Sequence, residues 1–262
     1  MTRRWKLTLE YDGTDFVGWQ RQENGLSVQE CLEKAVHAFC GETVTLHVAG
    51  RTDAGVHAVG QVAHIDLERP STEKEVRDAL NAHLRPRPVS VVAAERAPDD
   101  FHARFDAVNR VYCYRILMDR RAPPALEART VWHVGWNLDV LAMHEAAQHL
   151  IGKHDFSSFR SVKCQAKSPL RSLKRLDVIE THHAIGFGRR LEIRAEARSF
   201  LHHQIRNIVG TLRLVGEGKW TPDDVKRALE AKDRTKGGPM APASGLCLVR
   251  VDYPEENDHK ET

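Results

Sequence analysis

One order of secondary-structure elements occurs twice along the chain and constrains the fold more than any other feature. The first half carries two apolar stripes at helical spacing, and each begins at a capping box, Ser27 with Glu30 and Thr72 with Glu75. Strands are predicted at 5–11, 44–49, 61–67 and 89–94. The predicted order of the first half is therefore β-α-β-β-α-β.

The second half has a similar order without a detectable sequence repeat. Its strands are predicted at 110–117, 173–181, 190–198 and 246–251, and its helices at 138–151, at 203–215 and from Thr221 onward. The class is therefore α+β. We expect an αβ sandwich of two ferredoxin-like βαββαβ halves, with a mainly antiparallel central sheet, helices packed on it and an active-site cleft between the halves.

Domain boundaries follow from this order. The linker is expected near residues 97–109. The N-terminal half, with the loop that carries Asp53, is predicted to span 1–104, and the C-terminal half, with an additional helix, 105–254. Residues 255–262 are predicted to be an acidic disordered tail.

The distribution of charge is more informative than its total. Lysine and arginine number 39 against 36 acidic residues, so the formal net charge of +3 does not by itself indicate a nucleic-acid partner. The basic residues form clusters at Arg85/Arg87, Arg104/Arg110/Arg115, Arg120/Arg121, Arg171/Lys174/Arg175, Arg189/Arg190 and Lys232/Arg234/Lys236. These clusters predict phosphate contacts, and a solvated surface of mixed charge is the alternative.

Several functional classes are disfavoured by what the sequence lacks. The N-terminal segment has no apolar stretch, so we expect neither signal peptide nor membrane anchor, and hence a cytoplasmic location. The five cysteines are scattered and the 15 histidines match no zinc pattern, so no metal is expected, and His57 and His203 are predicted to form hydrogen bonds or contact RNA. No nucleotide cofactor is expected, because no nucleotide-binding glycine loop is present.

The segment Gly50–Ala58, Gly-Arg-Thr-Asp-Ala-Gly-Val-His-Ala, lies between two predicted strands. Its glycines and short polar residues would hold the carboxylate of Asp53 at the end of a strand, where a catalytic group can reach a ligand. An ordinary turn, in which the carboxylate binds local backbone donors, is the alternative.

This segment resembles the signature of the tRNA pseudouridine synthase A family. Further blocks that resemble the family, in its usual order, are Tyr11–Thr14, Gly18–Gln20, Asp100–Phe105, Arg110–Tyr114, His154–Arg160, Phe200–Gly210 and Ala231–Arg234. The resemblance implies a cytoplasmic homodimer that binds the tRNA anticodon stem-loop. It also implies that uridine at position 38, 39 or 40 of the RNA becomes pseudouridine without a cofactor.

The same resemblance implies roles for individual residues. Asp53 is the catalytic carboxylate, and Arg206 lies against it, although an arginine that grips phosphate is the alternative. Tyr112 stacks on the target base and is a candidate acceptor for the C5 proton, whereas Tyr114 on the same strand face is the stronger candidate for a core residue. Arg51 helps to keep the nucleotide flipped out.

Two further residues are assigned to substrate binding. Leu246, at the start of the last strand, would give the uracil pocket an apolar floor, although core packing would explain this leucine equally well. His203 is expected to contact RNA.

Two other functional classes remain open at this point. A βαββαβ half resembles an RNA-recognition domain, which would make the chain a non-catalytic RNA-binding module, but aromatic residues are only 6% of the chain and no aromatic-rich strand stands out. A metal-dependent nuclease or hydrolase built on Asp53 and His57 would need further carboxylates nearby in space.

Overall fold

The computed structural model describes residues 2–181 and 187–254, which form an α+β fold. The acidic tail predicted at 255–262 lies outside the described residues. The strands are β1 (Arg3–Tyr11), β2 (His47–Val48), β3 (His57–Leu67), β4 (Val89–Arg96), β5 (Asn109–Met118), β6 (Trp132–His133), β7 (Gly152–Asp155), β8 (Leu170–Thr181), β9 (Arg189–Ala197) and β10 (Leu246–Asp252). The helices are α1 (Val28–Cys40), α2 (Glu73–Leu84), α3 (Val140–Gln148), α4 (Gln204–Gly216) and α5 (Pro222–Ala231).

The described chain divides into two compact units. The first contains residues 2–110 and 247–254, and the second contains residues 111–181 and 187–246. The α+β class is confirmed, and the strand pairs are mostly antiparallel, with parallel pairs at β3–β10 and β5–β6. Within the described ranges, no helix combines the length and the apolar character that crossing a membrane requires.

In the first unit the sheet has the order β4-β1-β3-β10, and β2 pairs with β3. Trp5, Leu7 and Leu9 of β1 are fully buried, as expected for alternate residues of a strand with one face in the core, and the strand predicted at 5–11 is confirmed. The order β-α-β-β-α-β is confirmed as well. Strand β3 begins at His57 rather than at residue 61, because its first residues pair with β10, an interaction that no local pattern reveals.

In the second unit the sheet has the order β5-β9-β8-β7, and β6 pairs with β5. The short strands β6 and β7 were not predicted, since neither is long enough to show an alternating pattern. Helix α4 is buried over most of its surface and begins at Gln204 rather than at His203, which has a left-handed backbone with φ 63°.

Strand β10 begins at the point in the chain where the second unit ends. The sequence places residues 246–251 with the C-terminal half, but from Cys247 onward the strand belongs to the first unit. Its parallel pairing with the start of β3, Cys247 opposite His57 and Leu248 opposite Ala58, accounts for this placement. The division into domains 1–104 and 105–254 stays a prediction.

Candidate active site

Asp53 lies in the loop that joins β2 to β3. The backbone carbonyl of Asp53 accepts a hydrogen bond from the Val56 amide at 3.1 Å, and Gly55 completes this turn with φ 77°. Thr52 and Val56 are buried, whereas Asp53 is partly exposed and Arg51 is exposed. The loop is therefore anchored on both sides of a carboxylate that solvent, and hence a ligand, can reach.

A second segment, residues 12–19, packs directly against this loop. The Trp19 amide donates to the Thr52 carbonyl at 3.0 Å. Gly18 has φ 110°, and a Cβ atom there would lie 2.8 Å from the same carbonyl, while a Cβ on Gly13 would lie 2.0 Å from the Val56 carbonyl. Only glycine permits these close backbone approaches. The blocks Tyr11–Thr14 and Gly18–Gln20 therefore pack against one side of the Asp53 loop.

His57 takes part in the same packing. It is buried, and its Nδ1 atom accepts a hydrogen bond from the Gly13 amide at 3.1 Å. This agrees with the expected hydrogen-bonding role.

In the second unit, Arg206 lies in the first turn of α4. Its Nε atom donates to the Ala241 carbonyl at 2.8 Å, and the Ala241 amide donates to the Arg206 carbonyl at 3.0 Å. His203 precedes the helix, and its ring lies 3.8 Å, centroid to centroid, from that of His202. The left-handed backbone of His203 is strained, and strain of this kind concentrates at functional sites.

Hydrogen bonds at α4 join three of the blocks that resemble the family, His154–Arg160, Phe200–Gly210 and Ala231–Arg234. Asn207 donates from Nδ2 to the Phe159 carbonyl at 2.9 Å and accepts at Oδ1 from Arg234 at 2.9 Å. Arg234 also donates to the Gly238 carbonyl at 3.0 Å. The partly buried guanidinium of Arg234 thus binds the protein's own backbone and an amide, and its contact with phosphate stays a prediction.

The two tyrosines of β5 have different surroundings. Tyr114 is fully buried, its hydroxyl donates to the Pro242 carbonyl at 2.8 Å, and burial raises its pKa. Tyr112 retains 8% exposure and meets Phe200 edge-on, with 5.3 Å between ring centroids. Tyr114 thus has the contacts of a core residue, and the base-stacking role of Tyr112 stays a prediction.

The remaining predicted site residues divide between the units. Arg51 and Asp53 belong to the first unit, whereas Tyr112, His203, Arg206 and Leu246 belong to the second. Leu246 is 5% exposed at the start of β10. His203 and Arg206 share the start of one helix.

The predicted basic cluster Arg189/Arg190 is engaged in ion pairs. Arg189 pairs with Glu180, and this hydrogen bond raises the pKa of the guanidinium. Arg190 pairs with Glu127. A charge that is paired within the protein attracts phosphate less than an unpaired one, so these two arginines are weaker candidates for phosphate contact than the sequence suggests.

No sequence pattern indicates the cluster of three histidines that the first unit contains. The rings of His47 and His64 are stacked, with 4.7 Å between centroids, and that of His102 lies edge-on, 4.8 Å from His64. Their ring nitrogens are close enough for a shared ion. However, Nδ1 of His64 accepts from the Ala103 amide and Nδ1 of His102 from the Arg104 amide, both at 3.1 Å. In a metal-bound histidine, the ring nitrogen that does not bind the metal normally donates a hydrogen bond. Here Nδ1 of each ring accepts one instead, so the arrangement favours neutral rings over metal ligands.

Comparison with known proteins gives a consistent result. A family model described as tRNA pseudouridine synthase matches residues 8–106 and 146–254. A tRNA pseudouridine synthase A of Paramagnetospirillum magneticum is 61% identical over 250 residues, which cover 95% of this chain and 95% of that protein. Proteins of the same name from Rhodospirillum centenum and Sinorhizobium fredii are 59% and 58% identical, and the matches cover 96% and 95% of this chain and 100% and 99% of theirs.

The matched ranges contain most of the predicted site. Arg51 and Asp53 fall in the first range, His203, Arg206 and Leu246 fall in the second, and Tyr112 lies between the two. A solved structure of an unknown protein from Galdieria sulphuraria covers 83% of this chain and 94% of its own, with 11% identity and a TM-score of 0.21, too low to support an argument.

Proposed function

Because the chain belongs to the tRNA pseudouridine synthase family, we propose that it converts uridine to pseudouridine in tRNA. The reaction breaks the N-glycosidic bond of one uridine, rotates the uracil and joins its C5 atom to C1′ of the same ribose. C5 loses a proton and N1 gains one, so the atoms balance without an oxidant, a reductant or a cofactor. The enzyme must supply a positioned carboxylate and a pocket that retains the free uracil.

The observation that carries the proposal is the presentation of Asp53. Its loop is held by backbone contacts from residues 12–19, yet the aspartate itself is partly exposed. A carboxylate whose only role is to close a turn does not require backbone contacts from a second segment of the chain. This supports a catalytic role for Asp53, as attacking group on the ribose or base or as acceptor of a ribose proton.

Arg206 is proposed to act together with Asp53. The bond from its Nε atom to the Ala241 carbonyl fixes the guanidinium, which favours a defined role over that of a solvated phosphate contact. A positive charge beside a carboxylate favours its ionised form. Comparison of the rates of the two single variants and the double variant tests whether the residues act as a unit.

The remaining residues are proposed to hold the nucleotide. Tyr112 stacks on the flipped uracil and is a candidate acceptor for the C5 proton, and Leu246 gives the pocket an apolar floor. Arg51, exposed beside Asp53, keeps the nucleotide flipped out, and His203 contacts the RNA.

The finer features of the proposal come from the family resemblance. The substrate is the anticodon stem-loop, modified at position 38, 39 or 40, and the working form is a cytoplasmic homodimer without a nucleotide cofactor. The two units correspond to two ferredoxin-like halves. Support for the last point is the confirmed β-α-β-β-α-β order of the first half.

The direct test measures tritium released from an anticodon-arm RNA labelled at C5 of uridine, with and without EDTA. We expect release at the same rate in both conditions and an RNA product of unchanged length. A non-catalytic RNA-binding module would bind the RNA without release. A metal-dependent nuclease would cut the RNA and stop when EDTA is added.

A further inference from the structure

We infer that Tyr11, Thr52 and Gln61 are positioning residues, which form a buried hydrogen-bond network that holds the Asp53 loop in its reactive geometry. The inference rests on the proposed isomerisation at Asp53. None of the three was a candidate for the site on sequence grounds, because each lies within a strand or a turn where its polar group needs no special explanation.

The network begins at Gln61 on β3, which is completely buried. Its amide nitrogen donates to the Gly50 carbonyl at 2.7 Å and to the Tyr11 hydroxyl at 3.2 Å. Both hydrogens of the amide therefore have an acceptor. Since Gly50 opens the Asp53 loop, the first of these bonds anchors the loop to the strand that follows it.

Tyr11 connects this amide to the residue before Asp53. Its hydroxyl accepts from the Gln61 amide and lies 2.8 Å from Oγ1 of Thr52, in a hydrogen bond in which either hydroxyl can be the donor. Burial raises the pKa of Tyr11, so the hydroxyl stays protonated under ordinary conditions. Thr52 is also held through its carbonyl, which accepts from the Trp19 amide.

The two ends of the network flank the functional positions. Gly50 and Thr52 are fixed, Arg51 is exposed between them, and Asp53 follows directly. The anchored residues Gly50 and Thr52 therefore lie on both sides of Arg51, and Thr52 directly precedes Asp53. A shift of either anchor would move Arg51 and Asp53 together.

Stability alone does not require polar groups at these positions. Phenylalanine, valine and methionine would fill similar volumes, and replacing a complete set of buried polar partners by apolar groups can be nearly neutral. A fully satisfied network instead specifies one geometry. Misplacement of a reacting group by about 1 Å can reduce a rate by about a hundredfold, so the benefit of the network should appear in the rate.

The test uses Tyr11→Phe, Thr52→Val and Gln61→Met in the full-length protein. We expect single-turnover tritium release at saturating RNA to fall by about 10- to 100-fold, with RNA affinity within about twofold of wild type, because the changes lie beneath the loop rather than on the RNA surface. Thr52→Ser should restore most of the rate, since it retains the hydroxyl.

A matched control is available in the same unit. Tyr253 is partly buried and its hydroxyl donates to the Ala103 carbonyl at 2.6 Å, so Tyr253→Phe also removes one internal hydrogen bond. It should lower the melting temperature, by less than Tyr11→Phe, which removes a hydroxyl bonded to both Thr52 and Gln61, and should leave the rate unchanged. Equal rate losses in the two variants, or a rate in Tyr11→Phe equal to wild type, would overturn the inference.

A second measurement is independent of catalysis. The amide of Val56 is bonded to the Asp53 carbonyl, so its hydrogen exchange reports the order of the loop. In Tyr11→Phe and Thr52→Val we expect it to exchange at least about tenfold faster, while amides in the middle of β1 remain protected. Unchanged exchange of the Val56 amide would refute the positioning role, whatever the catalytic result. Absence of tritium release by the wild-type protein would instead refute the proposed function. If Gln61→Met does not fold, Thr52→Val compared with Thr52→Ser still decides.

Discussion

At the scale of single residues, Asp53 can be tested by a change that leaves the loop intact. Asparagine is nearly isosteric and can keep the local hydrogen bonds, but it is neither a nucleophile nor a base. We expect Asp53→Asn to lower single-turnover tritium release by at least about a thousandfold. RNA affinity should stay within about threefold, because one carboxylate does not help to bind an anionic backbone.

The control for this prediction is Asp99→Asn, which removes the same charge from an exposed position of the same unit. It should leave the rate unchanged. Arg206→Ala should lower the rate as well, and adding it to Asp53→Asn should cause no further loss if the two residues act as a unit. A catalytically active Asp53→Asn protein with a normal melting curve would exclude the assignment.

Tyr112 and Tyr114 allow a comparison within one strand. Tyr112→Phe keeps an aromatic face for stacking but loses the hydroxyl, so RNA should still bind while the single-turnover rate falls, by about 10- to 1000-fold if that hydroxyl takes part in proton transfer. Tyr114→Phe loses only the bond to Pro242 and should affect mainly the melting temperature. Both variants are assayed by filter binding and tritium release. Interchanged behaviour of the two would show that the functional tyrosine is misassigned.

The histidine cluster predicts a pH dependence of stability. Burial, together with the neighbouring His47 and Arg4, lowers the pKa of His64 to about 4. Between about pH 6.5 and pH 4 the unfolded chain therefore binds a proton that the folded chain does not, so stability falls as the pH is lowered through this window. The effect amounts to about 3 kcal/mol, from about 1.4 kcal/mol per pKa unit.

The measurement is the free energy of unfolding in urea at pH 7, 6, 5 and 4. His64→Gln does not titrate but can still accept from the Ala103 amide, so its stability should fall less than that of wild type over this range. His83→Gln, which replaces an exposed histidine, should follow wild type. Parallel curves for His64→Gln and wild type would show that the cluster does not cause the loss.

At the scale of elements, helix α4 depends on the segment that follows α5. Arg234 donates to Asn207 of the helix and to the Gly238 carbonyl, and both acceptors lose a charged partner in Arg234→Ala. We expect the free energy of unfolding to fall by about 2–4 kcal/mol. The matched change Arg227→Ala, which breaks an exposed pair with Asp224, should cost less than about 1 kcal/mol.

This prediction also separates structure from RNA binding. Arg234→Ala, measured well below its melting temperature, should leave the salt dependence of tRNA binding unchanged. A lower salt slope without a stability loss would return Arg234 to the phosphate footprint. Urea unfolding and filter binding at several salt concentrations supply the two quantities.

At the scale of the whole molecule, tRNA binding should be driven by charge. Arg121, Lys232 and Lys236 are exposed and Arg120 is partly exposed. Each phosphate contact removed by changing them to alanine should reduce the slope of log affinity against log salt by about 0.7–0.9. Turnover of bound RNA should not change. Arg190→Ala, in which the lost charge was paired with Glu127, should leave the slope nearly unaltered, and an unchanged slope in the fourfold variant would remove these residues from the footprint.

The sequence predicted the elements whose pattern is local. Strand β1 and helices α1 and α2 have periodic apolar residues and capping boxes, and they lie where expected. Features that depend on distant partners could not be predicted in this way. The pairing of Arg190 with Glu127 joins residues far apart in the chain, and the role of Gln61 depends on a turn and a strand that approach it only in the folded chain.

The assignment of β10 to the first unit affects how that unit can form during synthesis. Its other strands, β1 to β4, have all left the ribosome long before residues 247–252 are made. At about 5–20 residues per second, the roughly 180 residues between β3 and β10 take roughly 10–40 s to translate. Over this interval the nascent chain carries β3 without its β10 partner at His57 and Ala58, beside the loop of Asp53. The first unit to emerge therefore lacks one of its strands until residues 247–252 have been made.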